Sequence, residues 1–95
     1  MIRRTASVAT DRPERWAKQL LSHFSAKVDV ELDGAGGTVT LGAGRGIVRV
    51  EPNLLVFEAE GETEDDVQQV QNVLGGHFER FAAKEELRVI WSETA

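Results

Sequence analysis

Cysteine is absent from this sequence, which excludes disulfides, thiolate nucleophiles and cysteine-held zinc. Histidine is nearly as scarce. His23 and His77 are the only two, and neither an H-x-x-x-H nor an H-E-x-x-H spacing places two imidazoles on one helix face for a metal. Long apolar runs are also missing. No segment approaches the roughly 20 apolar residues that a bilayer span requires, so no membrane association is expected. The opening MIRRTASVATDRP is positively charged with no apolar run behind it, so it does not read as a secretory leader, and a cytoplasmic location is expected. Positive charge is the minority sign. Eleven Lys and Arg face sixteen Asp and Glu, a net charge of −5, which argues against nucleic-acid binding, because phosphate contacts need a basic surface.

What is present fits one soluble domain spanning residues 1–95, with 41% hydrophobic and 28% charged residues. The charge is uneven. Residues 1–27 hold six basic and two acidic groups, a net +4, while the remainder holds five basic and fourteen acidic groups, a net −9. This asymmetry suits either a solvated surface or a charged patch for a protein partner.

Residues 2–10 alternate weakly, with Ile2, Ala6 and Val8 on one side, and predict a first strand at a sheet edge. A helix start follows, with Asp11 as cap, Pro13 in the first turn and Glu14 closing a D-x-x-E box. Trp16, Ala17, Leu20, Leu21 and Phe24 form its apolar stripe, and the helix should end near Ala26. Four strands are then expected, with Val28, Val30 and Leu32, then Val39 and Leu41, then Val48 and Val50, then Leu55, Phe57 and Ala59 facing inward. The glycine-rich stretches 33–37 and 42–46, and the pair Pro52 and Asn53, supply turns short enough to make neighbouring strands antiparallel. A second helix opens on Thr63 as cap with acids in its first turn. Its stripe is Val67, Val70, Leu74, Phe78 and Phe81, and Gly75 and Gly76 mark a kink or a close approach. Leu87, Val89 and Trp91 read as a last inward-facing strand.

The expected fold is therefore α+β, a two-layer sandwich of order β-α-β-β-β-β-α-β. One mostly antiparallel six-stranded sheet carries both helices on one face. LLSHFSAKVDVELD, from Leu20 to Asp33, echoes VQQVQNVLGGHFERFAAKEELRVIW, from Val67 to Trp91, which is compatible with a duplicated half-domain.

Chemistry has few carriers. His77 falls within its helix's apolar stripe and His23 at the margin of its own. They read either as core-edge imidazoles bonded to a carbonyl or carboxylate, or as a pair of candidate cofactor ligands for a metal or haem iron. Ser22 neighbours His23, but adjacent helical residues point apart and form no relay, so no catalytic set emerges. The 42–46 loop leads into a strand, and therefore offers no helix N-terminus to a phosphate. Glu58 and Glu60 should share the exposed sheet face about 7 Å apart, as a solvated acidic face or a weak cation site. Val56 and Ile90, apolar on a face expected to be wet, together with Arg49 and Arg88, are the candidate interface for a partner or for self-association.

Across ATDRPERWAKQLLSHFSAKV, GTVTL and HFERFAAKEELRVIW the chain resembles a family of small bacterial proteins, the domain of unknown function 2218. His23, Phe24, His77, Arg80 and Phe81 match the family's motif positions. The family assigns them no roles. Its pattern has bulkier residues where this chain has the 42–46 loop, which argues against ligand contact there. Members joined to, or near, siderophore-interacting flavoproteins imply an accessory role in ferric-siderophore or haem handling. The reading that follows is a non-catalytic binding or interaction module. The alternatives are a small-molecule enzyme with His23 or His77 as general base, and a structural subunit of a larger complex.

Overall fold

The computed structural model describes residues 1–94. Strand β1 (Ile2–Ala9) leads into helix α1 (Pro13–Ser25), followed by β2 (Val30–Asp33), β3 (Gly36–Leu41), β4 (Gly44–Glu51) and β5 (Leu54–Gly61). Helix α2 (Glu64–Phe81), a 3-10 turn at Ala83–Glu85 and a three-residue strand β6 (Ser92–Thr94) complete the order. Five strands of four to eight residues make one antiparallel sheet in the order β2-β3-β4-β5-β1, and β6 adds three residues beside β1. The fold is α+β with five full strands, where six were expected. The predicted strand at residues 87–91 joins no ladder. Its Val89 N–H donates instead to Glu79 Oε2 at 2.7 Å, and Trp91 meets Phe57 at a ring separation of 6.3 Å. The segment is thus pinned along α2, where Gly75 leaves room for Trp91: a Cβ on Gly75 would lie 3.1 Å from the indole nitrogen.

The two helical connections explain why both helices share a face. The path β1-α1-β2 crosses three strands and the path β5-α2-β6 crosses one, each joining parallel strands. They start on antiparallel neighbours and move in opposite directions across the sheet. The right-handed rule for such crossovers then puts both helices on the same side. Their unequal spans leave the two arms non-equivalent, although the His-Phe segments converge in space.

Helix α1 begins one residue later than the D-x-x-E box implies. Arg12 occupies the cap position and makes no side-chain cap bond, because Pro13 fixes the first helical position. Thr10 Oγ1 accepts from Arg12 N–H, and Arg12 Nη2 reaches Glu85 at 3.0 Å. Helix α2 starts as its sequence predicts, with Thr63 Oγ1 accepting from Asp66 N–H at 3.1 Å. It runs without a break through Gly75 and Gly76.

The core lies between sheet and helices. Val39, Val48, Leu55, Phe57 and Ala59 from the sheet meet Ala17, Leu20, Val67, Val70, Leu74 and Phe78 from the helices, all fully buried or nearly so. Arg4, on the same sheet row, secures β1 under α2 by donating to Gln71 Oε1 at 3.0 Å and Glu64 Oε1 at 2.5 Å. Helix α2 sits close to β4 because Gly44 has no side chain. A Cβ there would lie 2.6 Å from Val70 Cγ2 and 2.7 Å from the Glu60 carbonyl oxygen. No helix among the described residues is long and apolar enough to cross a membrane.

Candidate functional site

His23 lies in the last turn of α1 and His77 near the end of α2, each half-buried, and their rings meet at 5.1 Å. Phe24 packs on His77 at 5.1 Å, and Phe81 stands edge-on to His23 at the same distance. The echo between the two segments thus becomes a four-ring clasp that joins the helix ends. His77 Nδ1 donates to the Val73 carbonyl at 2.7 Å, which holds the ring in place. Two imidazoles that touch cannot serve as axial ligands on opposite faces of one haem, since the macrocycle has to lie between them. No group of three or more potential metal ligands occurs among the described residues. The pair does not fit haem. Arg80, on the outer side of α2, is exposed.

The open sheet face carries charge in an ordered array. Glu60 is only 3% exposed and is held by Arg3 and by Arg45 Nη2, the latter at 2.6 Å. Burial alone would raise its pKa, but the hydrogen bonds and charges of Arg45 and Arg3 outweigh it and lower the pKa below 4.5. Glu58 binds Arg49 Nη1 at 2.9 Å. The two glutamates expected on an exposed face are therefore covered by arginines, and their carboxylates are already engaged.

The four interface candidates do not form one surface. Arg49 and Val56 are cross-strand partners on β4 and β5, and Val56 is buried on this face at 6% exposure. Arg88 and Ile90 belong to the segment pinned along α2, away from the open face, and Ile90 is 77% exposed there.

A groove that the pattern of residues did not reveal lies between α1 and β2. It encloses about 750 Å³ and is lined by Glu14, Arg15, Lys18, Leu21, Ser22 and Ser25 of α1 and by Val30, Leu32, Gly34 and Ala35 of the β2 hairpin. Its origin is local. Leu32 pairs across the ladder with Gly37, which offers it no side chain. Leu21 settles over that glycine, where a Cβ would lie 3.4 Å from Leu21 Cδ1. Leu32, on the sheet row that is elsewhere covered by helices, is left 69% exposed. The alternation correctly placed Leu32 on the inward row. What it could not show is that α1 stops short of covering β2. Arg15 and Lys18 border the groove, and they belong to the N-terminal segment that is basic in an otherwise acidic chain. Neither His23 nor His77 lines it.

A family model described as "Uncharacterized protein conserved in bacteria (DUF2218)" matches residues 5–92. Among solved structures, the NMR structure of PA4090 from Pseudomonas aeruginosa is similar at 28% identity, with 97% of this chain and 96% of that chain covered and a TM-score of 0.80. Among curated proteins, none matches.

Proposed function

We propose that this chain, which belongs to the bacterial family DUF2218, is a non-catalytic binding module whose ligand site is the groove between α1 and β2. The observation that carries this reading is the exposure of Leu32, at 69%, on a sheet row whose other large apolar side chains are covered. Exposed apolar side chains gathered in a concave site, bordered by a few charged groups, are the usual setting for ligand capture. The rim carries both signs, Glu14 beside Arg15 and Lys18, and the aliphatic stems of the two basic residues extend the apolar wall. The imidazole clasp has a separate task in this reading: it fastens the helix that forms one wall of the groove. Neither His23 nor His77 lines the groove, so this reading gives neither a general-base role.

Anilinonaphthalene sulfonate, an apolar anion of suitable size, provides the test. The native chain should bind it saturably with enhanced fluorescence, and Leu32→Ser should weaken binding about fivefold or more, the loss of one apolar wall. Equal binding by Leu32→Ser, at unchanged melting temperature, would contradict the assignment.

A further inference from the structure

Strand β2 ends the sheet, and among the described residues its one ladder partner is β3. Thr40 N–H donates to the Asp29 carbonyl at 3.0 Å, and β2 continues from there with Val30 opposite Val39 and Asp33 opposite Gly36. Alternation along an antiparallel ladder then turns the backbone groups of Asp29, Glu31 and Asp33 toward β3, and those of Val30 and Leu32 toward the free edge. The residues whose backbone is unpaired are thus the ones whose side chains line the groove. A strand laid along this edge would gain main-chain hydrogen bonds and, at every second residue, drop a side chain over α1 beside Leu32.

The other face of β2 decides what that strand carries. Asp29, Glu31 and Asp33 all project there, all exposed, and none takes part in an ion pair among the described residues. Pairing β2 with β2 of a second copy would set these carboxylate rows against each other, and like charges directly opposite destabilise a ladder. A basic row facing them is complementary. Resting on the groove as the ligand site, we infer that the edge of β2 captures an extended segment of a partner protein, with apolar residues toward α1 alternating with lysine or arginine toward Asp29, Glu31 and Asp33.

The probe is an acetylated, amidated octapeptide alternating lysine and isoleucine, titrated into the full chain and followed by amide NMR. Saturable shifts at Val30 and Leu32, with slowed exchange of those two amides, are expected. The counterpart alternating glutamate and isoleucine should bind at least tenfold more weakly. Leu32→Pro removes the edge donor at a position where proline is tolerated, because its N–H faces outward, and should abolish capture. Glu31→Lys leaves the backbone intact and should weaken the lysine peptide while strengthening the glutamate one. Three results would overturn the inference: equal affinity for both peptides, perturbation away from β2, or a peptide that merely dissociates a dimer built on this edge. Dye binding in the groove without peptide binding would overturn the strand partner while leaving the groove as a ligand site. Failure of both probes would remove both.

Discussion

Glu60 shows how much a single side chain can depend on its neighbours. Its carboxylate is buried on a sheet face that has no helix over it, and only the two arginines make that burial tolerable. Because its folded pKa is lowered, its contribution to stability is complete above the ordinary glutamate value of 4.5 and is lost as pH falls from there through the folded value. Urea melts from about pH 3 to about pH 8 should show Glu60→Gln less stable by roughly 1–2 kcal/mol near neutrality, with the gap closing in acid. A gap that persisted after Glu60 protonates in the native chain would contradict this account. His77 makes a different prediction. Its ring contacts His23 and Phe24 and is held by the Val73 carbonyl, so His77→Ala should cost roughly 1–2 kcal/mol through lost ring packing. Dye affinity in the groove should remain unchanged. Lost dye binding at unchanged stability would move the site to the histidines.

At the scale of elements, the periodicities were readable wherever a single helix or hairpin supplies its own context. The stripe of α2, the Thr63 cap and the places of the three hairpin turns follow from side-chain spacing and turn chemistry, although the turns are shorter than the glycine-rich stretches, because Gly36, Gly37, Gly44 and Gly46 lie inside β3 and β4. The start of α1 departs from the capping-box pattern because Pro13 overrides the nearby acid as the determinant of where the helix begins. Residues 87–91 alternate like a strand, with Leu87, Val89 and Trp91 facing the core, yet their backbone partner is a glutamate on α2. Alternation reports which side is buried and says nothing of where the hydrogen bonds go. The glycines divide in the same way, by what lies above them. Gly44→Ala should destabilise by roughly 2 kcal/mol or more, since its Cβ would collide with Val70 and a backbone carbonyl. Gly76→Ala, with nothing within 4 Å, should stabilise α2 by about 0.5–1 kcal/mol. A Gly44→Ala variant that melts no lower than the native chain would contradict the close seat of α2 on β4.

For the whole molecule, the class and the shared face of the helices were legible because alternating strands need one covered side and short turns enforce antiparallel neighbours. The histidines were legible as a pair, and the structure joins them as a clasp that does not fit haem. The interface proposed from Val56, Ile90, Arg49 and Arg88 is divided between the open face and the segment along α2, a separation that only the chain's path determines. The groove was not legible at all. It arises because the β1-α1-β2 connection crosses three strands and leaves α1 slightly short of the last one, over a glycine that cannot fill the gap. The most direct test is to map anilinonaphthalene sulfonate onto the intact chain by amide and methyl NMR. Saturable shifts centred on Leu21, Val30, Leu32 and Ala35 are predicted. Shifts centred on His23 and His77, or no saturable shift on the folded protein, would contradict the assignment of the groove as the ligand site.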